Sequence, residues 1–338
     1  MQANPVLAKA IRGNWIENRH RGAVCVSDAQ GRIIASLGDC TQPVFPRSAI
    51  KSMQALAMFR SGAVEKFGLG EEDIALACAS HNGEPEHAAG VQNFLEKIGC
   101  SVADLECGAH PPVASAARKA LQKSGKAPSA IHNNCSGKHS GMLAVAKALG
   151  VPTKGYSERD HPVQKMVRAM VEDVIGQEFT EDRCGTDGCS IPTWAAPLSA
   201  FASGFASMAS ASELAHDLRV PAKMIFDAAT NKPHLVRGTD SLDTDLMTAF
   251  EGRLMIKIGA DGVFCGVLRD NSLGFALKID DGNINVAEVV VAQLLRAISN
   301  PDEKAHQALQ QYCTKILKNW RGLEVGRIAA TSAVEQAF

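Results

Sequence analysis

Two runs rich in apolar and β-branched residues, Gly22-Ala-Val-Cys-Val-Ser27 and Arg32-Ile-Ile-Ala-Ser-Leu37, flank the turn-forming tetrapeptide Asp28-Ala-Gln-Gly31 and predict an amino-terminal hairpin. Far downstream, Arg253 to Gly259 and Val263 to Leu268 flank Ala260-Asp261-Gly262, and Leu273 to Ile279 follows Arg269-Asp-Asn-Ser272. These read as three antiparallel strands. Between the two groups the apolar positions recur at helical spacing over Ser48–Arg60, Pro85–Lys97, Val113–Lys123, Lys138–Leu149, Pro162–Ile175 and Pro192–Met208. Helical spacing returns over Val286–Ile298 and Asp302–Leu317. The pattern predicts an α+β fold in which an antiparallel sheet drawn from both chain ends is packed with helices. One domain over residues 1–338 is expected, with sheet regions at about 10–45 and 250–330 and an inserted helical region at about 46–249. No repeat or low-complexity linker interrupts it; Pro111-Pro112 and the Ala/Ser tract from Ser203 to Ser212 mark loops or helix boundaries.

Composition narrows the classes of function. With 338 residues, 46% hydrophobic and 21% charged, the chain has material for a large core, so disordered and fibrous readings fail. A net charge of −1 supplies no basic field for nucleic acid and no polybasic membrane signal, so the expected ligand is small. Residues Met1 to Pro5 carry no charged region leading into a long apolar stretch, and the weakly polar segment Ile191–Ala209 is broken by Pro192 and Pro197. A cytoplasmic protein without membrane contact is expected. The ten cysteines then read as reduced thiols rather than a disulfide framework.

The candidate chemistry begins at Ser48-Ala-Ile-Lys51. Residues three apart on a helix share a face, so the spacing predicts a serine hydroxyl near a lysine amine. An amine at the start of a helix is biased toward its neutral, basic form, and the same amide dipoles favour a developing oxyanion. Alone, S-x-x-K is a weak signal, as common on a solvated helix. Ser80-His81-Asn82 and Lys257-Ile258-Gly259 extend it to the ordered set S-x-x-K, S-x-N, K-x-G, which resembles the signature of penicillin-binding proteins and serine β-lactamases.

A second constellation, Asn133-Asn-Cys-Ser-Gly-Lys-His-Ser-Gly141, leads into the apolar run Met142–Leu149, and Gly185-Thr-Asp-Gly-Cys-Ser-Ile-Pro192 has the same character about fifty residues later. Cys135 and Cys189, with Lys138 or His139, could hold zinc, yet their spacing matches no common finger, and from chemistry alone buried structural thiols are the favoured reading. Lysine is an unusual ligand, since its amine must lose a proton first.

Five separated segments, Phe45–Ser52, Ala79–Pro85, Asn133–Met142, Gly185–Ser190 and Lys257–Val263, together resemble the Rhizobium etli-type L-asparaginases, and the likeness runs nearly end to end from Arg19-His-Arg-Gly22. The resemblance implies a homodimeric amidohydrolase of β-lactamase/glutaminase-like fold that hydrolyses L-asparagine to aspartate and ammonia. It implies two serine–lysine pairs, Ser48 with Lys51 and Ser80 with Lys257, and one Zn2+ per chain on Cys135, Lys138 and Cys189, structural or substrate-orienting. In that reading Ser48 is the nucleophile, while Arg47, Asn134, His139 and Asp187 are candidate substrate contacts by charge and hydrogen-bond complementarity. The rival readings are a β-lactamase or D-Ala peptidase, from motif order alone, and a noncatalytic zinc-binding protein.

Overall fold

A computed structural model describes residues 3–338, which divide into two compact units. The first takes the chain up to Ala49 together with Ala195–Glu213 and Asp245–Phe338; the second comprises Ile50–Trp194 and Leu214–Thr244.

The first unit is built on an eight-stranded antiparallel sheet. In spatial order its main path runs Thr314–Lys318, Glu324–Ala330, Val6–Arg12, Trp15–Ser27, Leu273–Ile279, Val263–Leu268 and Leu254–Gly259, with Ile33–Leu37 pairing onto Trp15–Ser27. Strands from the two chain ends thus interleave, as the apolar pattern predicts. All six residues of both Leu254–Gly259 and Val263–Leu268 are buried, so both faces of the sheet are covered there. Helix Leu198–Ser210 packs on the strands Trp15–Ser27, Val263–Leu268 and Leu273–Ile279, and helix Ile284–Ile298 packs on Leu273–Ile279 and Glu324–Ala330. Fully buried Phe264, Phe275 and Leu277 each contribute about 1.5–3 kcal/mol of transfer free energy.

The second unit is helical. Helices Lys51–Arg60, Glu71–Ala77, Pro85–Lys97, Ser136–Leu149, Pro162–Ile175 and His216–Asn231 surround a common core, with a small hairpin of Cys184–Thr186 and Pro192–Trp194 at one side. The bounds of Pro85–Lys97 and Pro162–Ile175 match the sequence reading to the residue, because each opens on proline at its first position and the second closes on left-handed Gly176.

Two expected helices give part of their length to strands. The run Pro192–Met208 divides into the strands Pro192–Trp194 and Ala196–Pro197 before the helix begins at Leu198. Proline at 197 holds Ala196 extended, so helix cannot extend back through it. The run Asp302–Leu317 ends as helix at Tyr312, and Thr314–Lys318 becomes an edge strand because Glu324–Ala330 offers it a ladder. Among the described residues, no helix is long and apolar enough to cross a membrane.

Candidate active site

In the second unit the sequence motifs meet around one amine. Ser80 lies in an extended segment held on both sides: its amide donates to the Val236 carbonyl at 2.9 Å, the Asn82 amide to the Arg237 carbonyl at 2.8 Å, and the Arg237 guanidinium to the Ser80 carbonyl at 2.9 Å. Helix Ser136–Leu149 approaches from the side. A Cβ on Gly137 would stand 2.2 Å from the Leu76 carbonyl oxygen, so only glycine allows this helix to lie so close to helix Glu71–Ala77. That approach sets the helix entry against the segment bearing Ser80, where the His81 amide donates to the Asn134 carbonyl at 3.2 Å and the His81 ring lies 2.8 Å from Ser136 Oγ. Asn133 fixes the entry, its side chain donating to the Cys107 and Gly108 carbonyls and accepting from the Cys135 amide at 2.8 Å.

Lys51 opens helix Lys51–Arg60 and is fully buried. Its Nζ lies 2.5 Å from the Ala79 carbonyl, 2.9 Å from Ser80 Oγ and 3.2 Å from Cys135 Sγ. Burial lowers its pKa; the thiol groups of Cys135 and Cys189 oppose that shift, and the charge of Lys138 adds to it. The amine is the donor in all three bonds. The sequence reading pairs Lys51 with Ser48 and Ser80 with Lys257, whereas the hydrogen bond in the structure joins Lys51 to Ser80.

The thiols form the floor of this cluster. Cys135 is hydrogen-bonded to Cys189, which pulls its pKa well down despite burial, and the neighbouring Lys51 and Lys138 act in the same direction. Cys189 moves up, because the same hydrogen bond and burial both disfavour its ionised form. Lys138 Nζ lies 2.9 Å from Cys189 Sγ. Burial disfavours its charge, but the Cys189 and Cys135 sulfurs outweigh that and raise its pKa. Two converging sulfurs suit zinc, and Lys138 would join them only by exchanging its proton for the ion. The donor set therefore fits the metal that the family resemblance implies. A separate grouping of Glu84, His87 and His234 has metal-ligating atoms close together. There His87 spends both ring nitrogens, accepting from the Glu84 amide at 3.1 Å and donating to the His234 carbonyl at 2.8 Å, which leaves no lone pair for an ion.

The other candidates in this unit sit at the edge of the cluster. His139 is fully buried, its Nδ1 lies 2.6 Å from the Tyr156 hydroxyl, and burial, with the charge of Lys138 acting in the same direction, holds its pKa well below the usual histidine value. Asp187 organises the turn of the small hairpin, accepting from the Gly188 amide at 2.8 Å, with its other oxygen 3.8 Å from Cys189 Sγ. Asn134 is held through its backbone, its amide donating to His110 Nε2 at 3.0 Å and its carbonyl accepting from the His81 amide at 3.2 Å. Tyr156 and Glu106, which shape the surroundings of His139, carry no sequence signal; they lie in loops with no motif around them.

In the first unit, Ser48 stands half-buried in the short 3-10 turn Arg47–Ile50, which runs directly into helix Lys51–Arg60. The turn begins with Arg47 at φ 54°, a left-handed conformation costly for a residue with a side chain, and its guanidinium is ion-paired with Asp261. Lys257 is 1% exposed and its Nζ donates to the Ile258 carbonyl at 3.0 Å. Two residues further along the same strand, a Cβ on Gly259 would meet the Pro46 carbonyl oxygen at 2.6 Å and the Ala49 Cβ at 3.3 Å. Residues i and i+2 of a strand share a face, so Lys257 faces the side on which the Pro46–Ala49 turn is packed. The K-x-G motif thus pairs a buried amine with the one residue type that lets the strand touch the Ser48 turn.

A buried amine against a serine hydroxyl is the equipment of serine–lysine acyl transfer, and it defines the class as a hydrolase. The family follows from the sequence: the chain belongs to the L-asparaginase II family, whose profile matches residues 8–330, and the expected substrate is a small-molecule amide. No curated protein matches the sequence significantly. Among solved structures, a β-lactamase from Mycobacterium bovis aligns at 14% identity over 86% of this chain and 94% of that one, with a TM-score of 0.39, too low to bear on fold or reaction.

Proposed function

We propose that the protein is an L-asparagine amidohydrolase that works through an acyl-enzyme on Ser48. Neutral Lys51 takes the Ser48 proton as the hydroxyl attacks the side-chain amide carbon; ammonia leaves once protonated, and an aspartyl ester remains. Water then hydrolyses the ester to aspartate and frees the serine. The observation that carries this reading is the fully buried Lys51, whose pKa is lowered chiefly by burial and whose amine already engages a serine hydroxyl. Ser80, bonded to Lys51, and Lys257, on the strand face toward the Ser48 turn, relay the proton to the leaving amine. Arg47 pairs with the substrate carboxylate in exchange for Asp261, Asp187 with its ammonium, and His139 and Asn134 with its remaining polar atoms.

Cys135, Lys138 and Cys189 hold one Zn2+ per chain, which supplies a fixed positive charge that orients polar substrate groups near the cluster. The protein acts as a homodimer in the cytoplasm. The deciding experiment is ammonia release from asparagine and glutamine, followed by mass spectrometry of the quenched enzyme. An adduct of aspartyl mass on the peptide containing Ser48 is the expected result. Turnover of asparagine by Ser48→Ala at the wild-type rate would remove the covalent route.

A further inference from the structure

We propose that Tyr156 is a positioning residue that locks His139 in one tautomer, so that the imidazole presents its Nε2–H to an oxygen of the bound amide substrate. The Tyr156 hydroxyl accepts from the Glu106 backbone amide at 2.9 Å, and its oxygen lies 2.6 Å from His139 Nδ1. Tyr156 is itself fully buried, so its hydroxyl proton needs an acceptor. With the Glu106 amide already donating to the oxygen, that proton goes to His139 Nδ1, and the ring must carry its own hydrogen on Nε2. The opposite arrangement would leave the tyrosine hydrogen buried without a partner.

The consequence lies at the other end of the ring. His139 Nε2 is buried and makes no hydrogen bond, although the Cys189 carbonyl approaches the ring. A sealed donor without an acceptor is costly, and one at the edge of the Lys51, Cys135 and Lys138 cluster is suited to an oxygen that arrives with a ligand. The lock is itself braced. The Glu106 carboxylate receives the Gly155 amide at 2.6 Å and the Ser157 amide and hydroxyl at 3.1 and 2.6 Å, which fixes the loop on both sides of Tyr156. The proposal rests on the assignment of His139 to substrate binding, and its test separates the two.

Full-length protein labelled with 15N-histidine, with the His139→Gln spectrum to assign the resonance, reports the tautomer directly. His139 is expected to show a protonated Nε2 and a hydrogen-bonded, unprotonated Nδ1, and Tyr156→Phe is expected to lose that single-tautomer pattern. A wild-type ring protonated on Nδ1 overturns the proposal even where Tyr156→Phe fails to fold. In kinetics, Tyr156→Phe is expected to raise KM for asparagine about 3- to 10-fold with kcat little changed. The double variant should be no worse than His139→Gln alone. Additive losses overturn the coupling of Tyr156 to His139. A His139→Gln enzyme with wild-type KM refutes substrate binding by His139 and with it the delivery of the donor, while acyl transfer at Ser48 stands or falls separately by the mass-spectrometric adduct.

Discussion

Replacing Gly259 by alanine tests whether the close approach of the K-x-G strand to the Ser48 turn is needed for chemistry. The added Cβ would lie 2.6 Å from the Pro46 carbonyl oxygen, 3.0 Å from Val263 Cβ and 3.3 Å from Ala49 Cβ. Restoring an ordinary 3.4 Å contact requires strand and turn to part by about 0.8 Å. Overpacking of this kind costs about 1–3 kcal/mol of stability. The larger expected effect is on turnover, because a displacement approaching 1 Å at reacting groups lowers rates by roughly 10²-fold. Steady-state ammonia release should therefore show kcat/KM down about 10- to 100-fold, mostly in kcat, with the melting temperature lower by several degrees. Gly326→Ala is the control. Its Cβ would stand 2.3 Å from the Ile11 carbonyl oxygen, in a strand pair of the first unit that carries none of the site residues. It should lose comparable stability and keep kcat/KM. If Gly259→Ala kept the wild-type kcat/KM while melting as early as Gly326→Ala, the glycine would be a packing residue only, and the argument linking Lys257 to the Ser48 turn would be wrong.

Ser48→Ala should lower kcat for asparagine by three or more orders of magnitude, measured as ammonia release. For Lys51 the sign follows from its base role: burial lowers its pKa, so kcat/KM should rise with pH as the amine loses its proton and level off below the ordinary lysine value of about 10.4. A rising limb centred at or above that value would exclude Lys51 as the base. Cys135→Ser and Cys189→Ser should each cut zinc per chain in elemental analysis, and unchanged zinc in both would contradict the ligand set. The Glu106 pKa is raised by burial but pulled down further by the Ser157 hydroxyl and the Gly155 and Ser157 amides, so its net shift is downward. Its stabilisation is thus present above about pH 4.3 and is lost as pH falls through the lowered value. Glu106→Gln should cost about 1 kcal/mol at pH 7, given partial exposure, and the difference should shrink in acid.

What the sequence made legible was local. Proline at the first helical position and glycine past the last one define Pro162–Ile175 without help from tertiary contacts. The apolar runs Val263–Leu268 and Leu273–Ile279 around turn residues define a meander for similar reasons. Thr314–Lys318 is not legible as a strand, because what makes it one is a ladder with Glu324–Ala330; Val6–Arg12 pairs both with that distant strand and, across a short turn, with Trp15–Ser27. The site divides along the same line. Ser48, Lys51, Ser80 and Lys257 announce themselves by residue type and spacing, whereas Cys135 and Lys138 become ligands only through the family resemblance. That Lys51 reaches Ser80 and Cys135 depends on how three segments pack, and Tyr156 enters only because a loop held by Glu106 brings it to His139.

The glycines within these motifs deserve the same chemical standing as the lysines beside them. In the second unit Gly137, next to Lys138, lets its helix press on the Leu76 carbonyl, and Cys135 at the head of that helix lies 3.2 Å from Lys51 Nζ. In the first unit Gly259, two places after Lys257, lets its strand press on the Pro46 carbonyl behind Ser48. Each motif couples a reactive side chain to a missing one, and in each the missing side chain sets a backbone distance that no other residue type permits. A buried amine has its pKa set by what surrounds it, so a shift of the backbone by a few tenths of an ångström changes desolvation and hydrogen bonding together. On this argument alanine at Gly137 should disturb the pH profile through Lys51, whereas alanine at Gly259 should lower the rate at every pH. Identical pH profiles for the two variants would show that the backbone contacts carry stability and not the state of the amine.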